Sequence, residues 1–214
     1  MQSKSPKMKV QFLFLFIYFL AITTSYAQEK AYYNQTELGV MIGKVEDQWS
    51  GTTEDRVGFS MLTFHGAWVA RYHVVGLSLG YDNYESVKII PVAFGWRGFF
   101  GDEGKAQLIG GFDIGGGSTI LQDEEKTEWG ESWWEGGMML SPSVGGFFPG
   151  KNGKTSLTVT VAYKRQEVFQ YNGTYDQVNP ALQIANSNLP PGFSYLTETN
   201  YLLQSMVLRV GLSF

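Results

Sequence analysis

Few residues in this chain could carry out chemistry. It contains two histidines, His65 and His73, and no cysteine. Thiol nucleophiles, thiol-ligated metals and disulfides are therefore excluded, and acid–base work near neutral pH would fall to those two imidazoles. His65 is followed by Gly66-Ala67 and His73 by Val74-Val75, so no Ser–His–Asp arrangement can be proposed on spacing, and only the folded geometry could bring one together. The chain is expected not to be an enzyme, and no catalytic residue, metal site or cofactor is assigned.

Two other constellations stand out. Glu37, Asp82, Arg97, Asp113, Lys164 and Arg209 each share the small or polar parity of an alternating segment, opposite a run of apolar residues. An isolated charge inside a narrow protein interior is costly. The six are thus expected to form an ion-pair network, with Arg97 and Arg209 each meeting at least one of Asp113, Glu37 or Asp82. A gated pore or proton path is the functional alternative. The second constellation is the stretch 121–136, with six acids, one lysine and Trp129, Trp133 and Trp134. Exposed tryptophans are frequent binding hot spots, so these three are contact candidates for an extracellular protein or surface ligand. The rival reading seats them in an aromatic girdle or over a barrel mouth, with the acids solvated. The regular Asp-x-Asp-x-Asp-Gly calcium loop is absent.

The elements that must hold these residues alternate with a period of two. Over 201–214, Leu202, Met206, Leu208, Val210, Leu212 and Phe214 share one parity, broken by Gln204, while Ser205, Arg209, Gly211 and Ser213 share the other. That is a strand with one apolar face, long enough for the ~9–11 residues a tilted strand needs to cross a bilayer. Seven further strands are expected near 36–45, 57–66, 72–84, 88–99, 106–119, 138–148 and 155–171. The facing of 57–66 is mixed and does not read cleanly. The second face of the set is rich in Gly and Ser, which suits the narrow lumen of a small barrel better than a solvent surface. Gly101-Asp102-Glu103-Gly104 and Gly150-Lys151-Asn152-Gly153 have tight-turn chemistry. The connections 46–56, 120–137 and 171–199 are long, and short and long links nearly alternate.

Lys4, Lys7 and Lys9 precede the apolar run Val10–Ile22, and Ser25-Tyr26-Ala27 supplies a small-residue cut site. Residues 1–27 therefore read as a cleaved signal peptide, leaving 28–214 as a single domain. Their removal takes away three lysines and no acid, moving the formal charge from −4 to −7. An acidic chain argues against nucleic-acid binding. No other segment is long and apolar enough to be a spanning helix, so a membrane location requires a closed barrel.

The run Gly76-Leu-Ser-Leu-Gly-Tyr-Asp82 with Ile90-Pro91, then Gly110-Gly-Phe-Asp-Ile-Gly115, Ser143-Val-Gly-Gly-Phe147 and the closing Val210-Gly-Leu-Ser-Phe214 resemble the small outer-membrane β-barrels of Bacteroidetes. In architecture they are similar to the OmpA and OmpX transmembrane barrels. The resemblance covers essentially 30–214 and rests on strand patterns. It implies an all-β, eight-stranded antiparallel up-and-down transmembrane barrel with meander topology, integral to the bacterial outer membrane as a monomer, both termini periplasmic. It also implies that Phe214 is part of an insertion signal read by the barrel assembly machinery, and that outer-membrane lipid surrounds the wall. The serine that lipid A deacylase barrels place two residues after their histidine is absent here. The function expected is structural or interactive, exerted through long extracellular loops around a side-chain-filled lumen. The alternatives are a lipid-modifying membrane enzyme and a soluble lipocalin-like binder.

Overall fold

The computed structural model describes residues 32–46, 53–84, 87–151, 154–175, 189–190 and 192–214. The signal-peptide reading of 1–27 and much of the 46–56 and 171–199 connections lie outside them. The described residues form nine strands: β1 Tyr32–Glu46, β2 Thr53–Ala70, β3 His73–Asn83, β4 Lys88–Phe100, β5 Gln107–Ser118, β6 Glu125–Lys126, β7 Gly130–Pro149, β8 Ser156–Tyr175 and β9 Phe193–Ser213. Eight of them pair antiparallel with their chain neighbours, β5 pairing directly with β7, and β1 pairs with β9 to close the ring. The two-residue β6 lies outside this ring, paired only to β7. Closure pairs both edges of every ring strand over most of the wall, and β1 and β9 part only beyond Gly43 and Ser205.

Closure is completed at the chain end, where Phe214 donates its N–H to the Asn34 carbonyl and accepts the Asn34 N–H in return. The links 71–72 and 101–106 sit at this same end, called here the terminal end; β1 ends and β2 begins at the opposite, far end. Gly101 and Gly104 turn the chain between β4 and β5 at φ of 129° and 77°, a region that side chains other than glycine's rarely enter. Within the wall, a Cβ at Gly76 would collide with the backbone of His65 and Gly66, so β2 and β3 approach as closely as they do only because glycine stands there.

The alternation places apolar side chains outward on every wall strand. Leu38 is 52% exposed, Phe94 73% and Leu208 55%, whereas Arg209 and Lys164 are 1% exposed. On β2 the outward set is Val57, Phe59, Met61, Thr63 and His65, and the inward set Arg56, Ser60, Leu62 and Phe64. This resolves the facing that the sequence left mixed. Both faces carry apolar residues there because Leu62 and Phe64 help to fill the interior.

The strands differ from expectation mainly in length. The expected strand 138–148 begins at Gly130, 155–171 continues to Tyr175, and the terminal strand begins at Phe193. Large parts of the expected loops 120–137 and 171–199 are therefore sheet. Residues 130–136 pair with 168–174, and 168–174 pair with 195–201, raising a three-stranded sheet beyond the wall. Trp133, Trp134, Tyr171, Tyr175, Phe193 and Tyr195 supply the aromatic content that favours strand over loop.

Candidate functional sites: the lumen and the raised sheet

The interior is layered. At the terminal end Tyr33, Phe64, Val74, Phe99 and Ile109 form an apolar cluster, with Trp68 and Phe147 packed against it. The Phe99 ring meets Tyr33 edge-on at 5.5 Å and Phe147 edge-on at 5.1 Å. At the far end Met41, Tyr84, Val87, Ile89, Ala162, Val168, Leu203 and Val207 form a second cluster, capped by Trp134 and Tyr201. Buried charges lie between the two. Any ion traversing the lumen would have to cross both apolar layers, at a high desolvation cost.

The ionic layer is built from strand parity. Arg97 of β4 donates from Nη1 and Nη2 to the two Asp113 carboxylate oxygens at 3.0 and 3.1 Å, a bidentate pair across neighbouring strands. Its Nε donates to Gln35 Oε1 at 3.3 Å, and its guanidinium lies 4.3 Å from the Phe64 ring centroid. Ser78 Oγ donates to Asp113. Across the lumen, Lys164 pairs with Asp82, which also accepts from Ser60 Oγ at 2.8 Å. Glu37 accepts from the Thr160 and Thr158 hydroxyls at 2.9 and 3.3 Å.

All six sequence-selected charges are buried in the lumen, but they do not form one network. Arg209 corrects the expected pairing: no carboxylate lies within ion-pair distance of it among the described residues, and its Nε has no hydrogen-bond partner. The reason is local. Glu37, which pairs in register with Gly211 two residues on, turns its carboxylate to the β8 threonines instead. Arg56 is the interior charge the sequence reading missed. It donates to Ser205 Oγ at 3.1 Å and lies 4.7 Å from the Tyr84 ring centroid. Its parity with Ser60, once the facing of β2 is known, is the signal that finds it.

The three tryptophans do not converge. Trp133 stacks on Tyr171 at 5.2 Å and 12° and donates from Nε1 to Glu135 at 3.2 Å. Its ring also approaches Phe193, which meets Tyr175 at 5.4 Å. Trp134, one residue on, has the opposite parity and packs with Tyr201 over the far-end lumen cluster. Trp129 precedes β7 and is 64% exposed, its carbonyl accepting the Tyr175 N–H. Of the nearby charges, Lys126 holds Glu124 and Glu131, each at 3.0 Å, while no ion pair is formed by Asp123, Glu125, Glu128 or Glu135 among the described residues. The two paired carboxylates, Glu131 first, push the lysine above its ordinary pKa range.

The Trp133–Tyr171 stack therefore binds β7 to β8 on the face opposite Trp134, away from the lumen cluster. Such pairs contribute about 0.5–1.5 kcal/mol beyond area burial. Trp133→Ala with Tyr171→Ala is expected to speed amide exchange over 130–136 and 168–174 while leaving exchange in the ionic layer at Asp113 and Lys164 unchanged. Equal loss of protection in both regions would show that the sheet and the wall unfold as one unit.

Both histidines face outward near the terminal end. His65 hydrogen-bonds with the Tyr32 hydroxyl, with Asn34 at 3.1 Å and with Thr63 at 3.1 Å. His73 stacks on Trp96 at 5.7 Å. Among the described residues no serine or carboxylate hydrogen-bonds to either ring, and no group of three potential ligands is placed to hold a metal.

No family model and no curated protein matches this chain. Among solved structures, it is similar to the outer-membrane protein AlkL determined in lipid bilayers, with 10% identity, 89% of this chain and 92% of that one covered, and a TM-score of 0.47. It is also similar to the outer-membrane protein OprG of Pseudomonas aeruginosa, with 10% identity, 87% and 96% covered, and a TM-score of 0.43. For the translocator domain of the autotransporter NalP of Neisseria meningitidis the identity is 9%, the coverage 97% of each chain and the TM-score 0.27. Likenesses at this level carry no argument about individual residues or activity.

Proposed function

We propose that this protein is an integral outer-membrane β-barrel with a lumen shut by its own side chains, acting through the sheet that β7, β8 and β9 raise beyond the wall. The observation that carries the membrane reading is the inverted distribution of polarity. Large apolar side chains are half-exposed around the wall while Arg97, Asp113, Lys164 and Asp82 are buried. An apolar belt of that extent would drive a soluble monomer to aggregate, and a closed ring is what lets strands lie in hydrocarbon without unpaired backbone. A lipocalin-like binder would reverse the arrangement, with an apolar cavity inside and charges outside.

In this reading outer-membrane lipid surrounds the wall, both termini lie on the periplasmic side, and Phe214 at the β1–β9 closure serves the barrel assembly machinery. The raised sheet, with Trp129 and Trp133 on it or beside it, is the contact surface for an extracellular protein or surface ligand. The role is interactive or structural, not enzymatic, and the protein works as a monomer.

Two measurements test this. The protein should leave membranes only with detergent; release by salt or alkaline wash would reject the membrane reading. Arginine scanning should then map the belt. Leu208 pairs with Val40 and Val161 in mid-wall, whereas Leu212 pairs with Thr36 and Leu157 near the polar terminal rim. Leu208→Arg is expected to cost about 2–4 kcal/mol and Leu212→Arg about 0–1 kcal/mol, the depth dependence of an arginine facing lipid, read from urea unfolding in phospholipid vesicles. Equal costs would contradict a lipid-facing wall.

A further inference from the structure

The β1–β9 ladder, which closes the barrel, stops short. Its last pair is Gly43 with Ser205. Beyond it β1 continues to Glu46 paired with β2, and β9 runs back towards Phe193 paired with β8. The two strands part, and a groove of about 650 Å³ opens on the outer wall between them. Ile42, Leu202 and Met206 line it and are 57%, 42% and 50% exposed. Lys44, Asp55, Tyr163 and Gln204 line it as well.

The polar groups stand in an unusual state. Lys44 and Asp55 are register partners on β1 and β2, both exposed, yet among the described residues neither side chain makes an ion pair or hydrogen bond. Opposite charges facing each other across two strands ordinarily pair. The neighbouring outward charges on β8 do so, Arg165 with Glu167 at 3.3 Å. On the other bank the Tyr163 hydroxyl donates to Gln204 Oε1 at 2.7 Å, and the Gln204 amide N–H donors have no partner among the described residues. The groove thus offers an apolar trough, one cation, one anion and a pair of neutral donors at a single level of the wall.

We propose that this seam binds a membrane lipid whose headgroup carries both a phosphate and a primary ammonium. The phosphate is held by Lys44 and the Gln204 amide, the ammonium by Asp55, and an acyl chain lies along Ile42 and Met206. Charge complementarity commits the site to a headgroup with both poles. A purely anionic headgroup meets Asp55 with like charge, and a quaternary ammonium has no N–H to give the carboxylate. Bound there, the lipid covers the Gly43–Ser205 end of the seam, where the ladder offers no further backbone pairing.

The proposal rests on the membrane reading, and the test separates the two. Protein extracted and delipidated in detergent is titrated with phosphatidylethanolamine, phosphatidylglycerol or phosphatidylcholine, and bound lipid is counted by native mass spectrometry. Phosphatidylethanolamine should bind at least about threefold more tightly than either competitor, the size of one partly exposed ion pair. Asp55→Asn should abolish or reverse the preference over phosphatidylglycerol, and Lys44→Gln should weaken both phospholipids. Both positions are exposed, and heat-modifiable migration confirms that the variants fold. Equal binding of the three lipids, or a preference unmoved by Asp55→Asn, overturns the proposal while leaving the membrane reading intact. A protein that needs no detergent overturns the membrane reading itself.

Discussion

Asp113→Ala is expected to destabilise the folded barrel by about 3–5 kcal/mol, the cost of removing one partner of a buried ion pair. Asp113 is 1% exposed and receives both terminal nitrogens of Arg97 together with the Ser78 hydroxyl. Without it, a guanidinium that is itself 2% exposed keeps only the Gln35 side chain, the Trp96 carbonyl and the Phe64 ring face. The measurement is the shift of the urea midpoint in phospholipid vesicles at constant slope. Replacing both partners by leucine should recover much of the loss, because no charge is then left unpaired. A cost below about 1 kcal/mol for the single change would mean that water reaches Arg97, against the burial that the two apolar clusters give it.

Phe64→Ala is expected to cost about 3–5 kcal/mol by leaving a cavity in the terminal-end cluster. The ring is fully buried, and the wall is shaped around it: a Cβ at Gly66 would come within 2.8 Å of the ring, and one at Gly95 within 2.7 Å. Neighbouring backbone cannot easily collapse into the space because the strands are held in register on both sides of Gly66 and Gly95. Phe64 also lies under the Arg97 guanidinium, so its loss and that of Asp113 act on one group. The double variant should depart from additivity by about 0.5–3 kcal/mol. Strict additivity would show that the aromatic layer and the ionic layer are energetically separate.

Phe64 also marks where the sequence stops being readable. On β1 and β9 most apolar residues fall on the outward parity and most small or polar ones on the inward, with Tyr33, Met41, Leu203 and Val207 the inward exceptions, because an apolar outer wall and a narrow lumen impose opposite demands. Leu38, Val40 and Ile42, or Leu208, Val210 and Leu212, therefore declare their facing. β2 breaks the rule, since Leu62 and Phe64 fill the interior while Phe59 and Met61 face out. Two apolar faces have no parity to read. Beyond the wall the rule fails for a different reason. Apart from Trp134, which caps the far-end cluster, residues 130–136 and 193–200 extend past the wall's ladders, so acids, glycines and aromatics mix freely, and a continuous sheet reads as loop. The same mixing hides that Trp133 and Trp134 belong to opposite faces.

For the interior charges, parity yields direction and no more. It places Arg97 and Arg209 alike, yet one finds a carboxylate on the next strand and the other does not. The outcome depends on Thr158 and Thr160, whose hydroxyls reach Glu37 from β8 across the intervening β9. Hydroxyl–carboxylate bonds between residues more than a hundred positions apart leave no local trace in a sequence. Arg56 was hidden by its neighbours, since a strand whose facing is unknown cannot assign its charges.

The wall strands are unequal: β3 and β5 have 11 and 12 residues, while β7, β8 and β9 have 20, 20 and 21. At about 3.3 Å per residue, and allowing for tilt, the surplus makes one flank roughly 20 Å taller than the other. In the membrane reading proposed above, a cylinder with a level rim would look the same from every compass bearing in the plane of the membrane. This one has a heading. A large particle descending onto it touches the tall flank before any other part. Two such molecules drifting side by side meet differently according to the bearing each presents. Turning about the membrane normal thus becomes a variable that neighbours can sense, and crowding would act on the molecule's heading as well as its position.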